Sequence, residues 1–103
     1  MEAHVATVEG TIDQLDDFVA KLTEKVGPVL SRRPGFVESL ALIDRDLGRG
    51  LLLTIWETRK AAEASNEQYR RDDVTLGVSA EVGLRRSVQW YDVASVTRRS
   101  VTP

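Results

Sequence analysis

The chain has 103 residues, a formal net charge of −2 and no cysteine, which suits a single domain and excludes disulfides and cysteine-rich metal sites. Nucleic-acid-binding domains usually carry a basic face, so the acidic balance argues against a nucleic-acid partner. No apolar run approaches the roughly 18 residues of a membrane span, and the first residues lack the pattern of a signal peptide. We expect a cytoplasmic protein with no membrane partner.

The first third of the chain predicts a strand over residues 3–9 and then a long helix. Thr11 and Gln14 form the capping-box pattern, in which each side chain bonds the main-chain amide of the other residue. Gly27-Pro28 should kink or restart the helix, because proline removes an amide donor. Apolar residues at three- and four-residue spacing predict one buried stripe, which comprises Ile12, Leu15, Val19, Leu22, Val26 and Val29, with Phe18 and Leu30 at its margins.

The rest of the chain predicts a hairpin, a second helix and a fourth strand. Two strands are expected at residues 36–45 and 51–57, joined by a flexible turn. Thr58 can cap a helix over residues 59–70, and residues 87–96 predict the last strand. The order β-α-β-β-α-β is the ferredoxin-like α+β arrangement, with an antiparallel sheet.

One domain is therefore expected over residues 1–96, followed by a tail over residues 97–103. Both helices of a ferredoxin-like fold lie on one side of the sheet, and the third strand is apolar on both sides. A bare face of this kind would exceed the apolar patch that soluble monomers usually expose. We therefore predict a homodimer that packs sheet against sheet, through Leu51, Leu53, Ile55 and Ile43.

Two motifs resemble the antibiotic-biosynthesis-monooxygenase-like domains of the dimeric α+β-barrel superfamily. They are Pro34-Gly35-Phe36 after the first helix and the run from Thr54 to Thr58 at the end of the third strand. The resemblance covers about residues 3–95 and implies a dimeric α+β barrel. It also implies a pocket between sheet and helices, where relatives oxidise polycyclic phenols without a cofactor. Neither a cofactor nor a metal is expected here.

The same resemblance shows where this chain departs from its relatives. The monooxygenase pocket pairs a third-strand tryptophan with an asparagine four residues earlier and a tyrosine six residues later. Trp56 matches the tryptophan, but Leu52 and Ala62 occupy the two polar positions. In the heme-degrading branch the asparagine, tryptophan and histidine positions fall at Ala3, Ser65 and Thr75. None of these three matches, so heme degradation is disfavoured.

The candidate pocket lies on the helix side of the third strand. Its predicted residues are Leu52, Thr54, Trp56, Ala62, Asn66 and Tyr69. Trp56 either stacks on a flat aromatic ligand or fills the core. Asn66 and Tyr69 lie three residues apart on one helix face, where they either hold a substrate phenol or form an ordinary exposed face.

His4 is the chain's only histidine, and an imidazole can act as a general base near neutral pH. A strand-one histidine has this role in cyclases of related barrels. Counting from Ala3, however, alternation sends His4 to the dimer side, which favours a structural role.

The sequence thus predicts a homodimer that binds a small apolar or aromatic molecule and oxygenates phenol- or quinol-type substrates without a cofactor. Catalytic candidates are Trp56, Asn66, Tyr69 and His4. The alternatives are a non-catalytic ligand-binding or regulatory module, and a polyketide cyclase or isomerase that uses His4.

Overall fold

The computed structural model describes residues 1–72 and 85–100. Its elements are β1 (Glu2–Glu9), α1 (Ile12–Lys21), a π-helical turn (Leu22–Val26), α2 (Gly27–Leu30), β2 (Phe36–Asp44), β3 (Arg49–Trp56), α3 (Arg59–Asp72) and β4 (Arg85–Asp92). The strands form one antiparallel sheet in the order β2-β3-β1-β4. The predicted ferredoxin-like α+β fold is confirmed. Within the described ranges, no helix has the length and apolarity needed to cross a membrane.

The first helix begins where the capping box places it. The Thr11 hydroxyl accepts from the Gln14 amide at 3.2 Å, and the Gln14 side-chain oxygen accepts from the Thr11 amide at 2.9 Å. The helix changes to π register at Leu22, and α register resumes at Gly27, immediately before Pro28. The predicted restart at Gly27-Pro28 is therefore confirmed.

The helix buries the predicted stripe at Leu15, Leu22 and Val26 but differs from it at the edges. Its buried residues are Leu15, Phe18, Leu22, Val26 and Leu30. The marginal positions assigned to Phe18 and Leu30 were wrong, since Val19 and Val29 are only half-buried. A π-helical turn contains one more residue than an α-helical turn. The residue that faces the sheet beyond the turn is therefore Leu30 rather than Val29.

The side chains of β3 alternate between the two faces of the sheet. Leu52, Thr54 and Trp56 are buried toward the helices, on what we call the helix face. The intervening residues Leu51, Leu53 and Ile55 are half-buried on the opposite side, which we call the open face. This alternation matches the prediction for the third strand.

A β-bulge between Phe36 and Glu38 overturns one predicted interface residue. Phe36 stands opposite Trp56, but beyond the bulge Leu40 pairs with Leu53 and Leu42 with Leu51, so both lie on the open face. The extra residue in a bulge reverses the alternation that follows it. Ile43 consequently packs against the core on the helix face, and its assignment to the dimer interface was wrong.

Strand β4 spans Arg85–Asp92, whereas residues 87–96 were predicted. It pairs with β1, and Asp92 stands opposite Glu2, the first residue of that strand. One more main-chain bond follows, from the Val93 amide to the Met1 carbonyl at 3.0 Å. β4 therefore begins two residues before the predicted Ser87 and ends four residues before the predicted Val96.

Gly35 and Thr58 fix the start of α3 against the sheet. The Gly35 carbonyl accepts from the Glu57 amide at 2.8 Å, and Gly35 adopts a φ of 79°, a conformation that favours glycine. A Cβ atom on Gly35 would lie 2.6 Å from Ala61 Cβ. The Thr58 hydroxyl caps the helix by accepting from the Ala61 amide at 3.1 Å, as predicted.

Candidate ligand-binding site

Trp56 is packed in the core, with 1% of its surface exposed. Its indole N–H donates to the Thr54 hydroxyl at 3.0 Å, and its ring meets Phe36 edge-on with centroids 5.4 Å apart. The Thr54 hydroxyl also donates a long, 3.5 Å bond to the His4 carbonyl. The polar atom that the sequence offered to a ligand is therefore used within the protein, and Trp56 has the contacts of a core residue.

A pocket of about 500 Å³ lies between the π-helical turn and strands β2 and β3. This volume falls in the usual range for small-molecule sites, about 300–1,000 Å³. Its buried floor is apolar and consists of Leu22, Val26, Leu30 and Leu52. Of the predicted pocket residues, Leu52 lines this pocket. Thr54, Trp56 and Ala62 are buried nearby in the core instead.

The exposed rim of the pocket carries three hydroxyls, those of Thr23, Ser31 and Ser39. The Thr23 hydroxyl donates to the Val19 carbonyl at 3.0 Å. The Ser31 hydroxyl donates to the Pro28 carbonyl at 2.9 Å. The lining residues that the structure describes include no charged side chain. An apolar floor with a few neutral polar groups at the rim suits a small, uncharged and mostly apolar ligand.

The sequence signal for this pocket was Gly27-Pro28, although it was interpreted only as a kink or restart of the helix. The Gly27 amide bonds the Leu22 carbonyl, five residues earlier, which is the π-helical pattern. Both Gly27 and Pro28 line the pocket beside the turn. π-Helical turns occur frequently at functional sites. Sequence reasoning missed these residues because it looked for the pocket wall on the second helix.

His4 lies on the helix face, so its predicted place on the dimer side was wrong. It stands opposite Thr54 on β3 and Trp90 on β4, and 8% of its surface is exposed. Its ring meets Trp90 edge-on, with centroids 4.7 Å apart. The count that misplaced His4 began at Ala3, which pairs with Ile55 on the open face. Ala3 therefore does not lie on the side of the sheet where a pocket residue would be.

Two carboxyl groups and an arginine surround the end of the sheet beside His4. Glu2 stands opposite Asp92, and a hydrogen bond between their side chains raises the pKa of Glu2, against the opposing effect of Arg59. The Arg59 guanidinium carbon lies 4.4 Å from the centroid of the Trp90 ring. The Arg59 Nε atom also lies 3.2 Å from a carboxylate oxygen of Glu63. These contacts place charged groups next to the His4–Trp90 ring pair.

The remaining candidates lie on or after α3. Ala62 is fully buried in the core, and Ser65 is buried with a hydroxyl that has no hydrogen-bond partner among the described residues. The helix carries Asn66 and Tyr69, but their side chains lie outside the described part of the structure, as does Thr75. The ligand-holding roles of Asn66 and Tyr69 stay predictions. In the ranges that are described, no cluster of His, Cys, Asp or Glu is arranged to hold a metal ion.

With this fold and pocket in view, the chain belongs to the antibiotic biosynthesis monooxygenase family, whose model matches residues 1–69. It is 32% identical to an uncharacterized protein found in two strains of Mycobacterium tuberculosis, over 66 residues that make up 64% of this chain. The chain matches only 30% of the length of these curated relatives.

Solved structures share the fold at low identity. A Streptomyces coelicolor monooxygenase from the gene ActVA-Orf6, in complex with nanaomycin D, is 14% identical with a TM-score of 0.80 over 96% of this chain and 92% of its own. The cofactor-independent oxygenase SnoaB from Streptomyces nogalater is 14% identical with a TM-score of 0.70, over 95% and 98%. A dimeric ferredoxin-like protein from an uncultured marine organism is 14% identical with a TM-score of 0.69, over 95% and 98%.

Proposed function

We propose that this protein is a homodimer that binds a small apolar or aromatic molecule and oxygenates phenol- or quinol-type substrates without a cofactor. The pocket of about 500 Å³ between the π-helical turn and the sheet carries the proposal. Its apolar floor and hydroxyl rim suit a ring with one or two polar substituents. Membership of the monooxygenase family and the fold shared with a cofactor-independent oxygenase support the reaction type.

The open face of the sheet supports the dimer. Leu40 is 49% exposed and Leu42 is 48% exposed, and both adjoin the half-buried Leu51 and Leu53. A contiguous apolar surface of this kind usually marks an interface. A second copy that packs its own open face here would cover both surfaces at once. One structural neighbour is itself a dimeric ferredoxin-like protein.

The proposed reaction needs only the substrate and dioxygen. In an anthrone, for example, the ring methylene becomes a carbonyl. One oxygen atom of dioxygen becomes the carbonyl oxygen, and the other leaves as water with the two methylene hydrogens. The substrate supplies all the electrons, so no cofactor is consumed. The protein would contribute by orienting the ring and by removing part of it from bulk water.

Oxygen uptake with an anthrone tests the proposal. One dioxygen should be consumed for each quinone formed, at a rate proportional to protein concentration. Ala41→Phe should suppress uptake, because Ala41 lines the pocket and is exposed there. Ala64→Phe is the matched control, since Ala64 is exposed on α3 and the change leaves the pocket open. Uptake that never exceeds the protein-free rate would contradict the oxygenase function.

A non-catalytic ligand-binding module is the second candidate, and the surroundings of Trp56 favour it. The family's polar positions hold Leu52 and Ala62, and the Trp56 indole N–H is committed to Thr54. The described pocket therefore offers no strong donor to stabilise a substrate anion. Stoichiometric binding of an anthrone without any oxygen uptake would identify this function, and Ala41→Phe should then abolish binding alone.

A further inference from the structure

Two of the three hydroxyls at the rim of the pocket already donate to main-chain carbonyls. The Thr23 hydroxyl donates a hydrogen bond to the Val19 carbonyl, and the Ser31 hydroxyl donates one to the Pro28 carbonyl. Each hydroxyl has one proton and two acceptor lone pairs. Thr23 and Ser31 can therefore accept a hydrogen bond from a ligand, but their own protons are already used in hydrogen bonds to the protein.

We propose that this pocket selects neutral ligands that present a hydroxyl donor at the rim, in preference to their anions or their methyl ethers. The inference rests on the proposed function, because it assigns a substrate class to the same pocket. A hydroxyl can donate to Thr23 or Ser31 while its ring covers the apolar floor. An anion would lose water and face oxygen lone pairs at Thr23 and Ser31, and no charged residue in the described lining would offset that loss.

The probes are para-nitrophenol, whose hydroxyl ionises near neutral pH, and para-nitroanisole, its methyl ether, which does not ionise. Calorimetry on the full chain should give about fivefold tighter binding of the phenol below its pKa, the usual worth of one hydrogen bond of about 1 kcal/mol. The preference should disappear as the pH rises through the pKa of the phenol. The affinity of the ether should stay constant over the same range.

Two variants test whether Thr23 causes the preference for phenol over ether. Thr23→Val removes one acceptor, so it should reduce the preference for phenol over ether while leaving the affinity for the ether intact. Glu24→Gln is the control, since Glu24 is exposed in the same turn but is not among the described lining residues, and it should keep the preference. Circular dichroism would verify that both variants fold.

The outcomes separate the two proposals. Equal affinity for phenol and ether, or tighter binding of the phenolate, would overturn the selection of neutral donors while leaving ligand binding in place. Failure of both probes to bind at any pH would overturn ligand binding in this pocket, and the inference with it.

Discussion

The Trp56 indole N–H donates to the Thr54 hydroxyl at 3.0 Å, two residues earlier on the same face of β3. Thr54→Val keeps the side-chain shape but leaves this buried N–H without a partner. We expect the free energy of unfolding to fall by about 1–3 kcal/mol, the usual cost of a buried unpaired donor. Urea denaturation measures the loss. Thr54→Ser, which keeps the hydroxyl, should lose less, and equal losses would show that the bond contributes little.

The open face predicts a dimer that one substitution should disrupt. Light scattering should give a mass near twice the 11.5 kDa of the chain. Leu53→Lys would bury an unpaired ammonium at the centre of the interface, so we expect a monomer at micromolar concentration. Leu47→Lys is the matched control, because Leu47 is 68% exposed in the turn between β2 and β3. A native protein that is already monomeric would refute the interface.

Gly35→Ala should destabilise the start of α3. Gly35 has a φ of 79°, and an added Cβ would lie 2.6 Å from Ala61 Cβ. The left-handed conformation alone costs an L-residue about 1–2 kcal/mol, and the contact adds to that cost. Combining the change with Ala61→Gly removes the contact but not the backbone strain. Thermal unfolding of the two variants should show partial rescue, and no destabilisation by Gly35→Ala would contradict the described geometry.

The Glu2–Asp92 pair predicts a pH dependence of stability. A hydrogen bond between the carboxyls raises the pKa of Glu2, so the folded protein binds this proton more tightly than the unfolded chain. The resulting stabilisation is complete below the unfolded pKa and is lost as the pH rises through the raised folded pKa. Glu2→Gln cannot ionise, so it should be more stable than the native protein above that pH, with a difference that shrinks in acid.

Urea midpoints measured across this pH range would test the pair. Glu9→Gln at the other end of β1 is the control, because Glu9 pairs with Arg49 at 3.4 Å and its loss should not raise stability at neutral pH. A difference between Glu2→Gln and the native protein that does not change with pH would contradict the role of the shared proton.

Local patterns predicted most of the fold. The capping box at Thr11 and Gln14, the Thr58 cap and the alternation along β3 all act over a few residues, and the structure confirms each of them. Their order along the chain was then enough to give the ferredoxin-like arrangement.

The site was predicted less well because it depends on interruptions of those patterns. The bulge after Phe36 reversed the faces of β2, which misplaced Ile43. The π-helical turn formed a pocket wall that helical periodicity does not encode. His4 was misplaced because its side was counted from Ala3, and only the pairing with the distant strand β3 shows that Ala3 lies on the open face.

The bond from the Val93 amide to the Met1 carbonyl has a consequence for engineering. It brings the start of β1 beside the end of β4, at a distance that a tight turn can bridge. A circular permutant could therefore join these two points and open the chain at the exposed Leu47, with every strand pairing preserved. The β1–β4 pair would become a local hairpin, while the β2–β3 hairpin would become the pairing that closes the longest loop, so the permutant would reverse which strand pair can form early in folding.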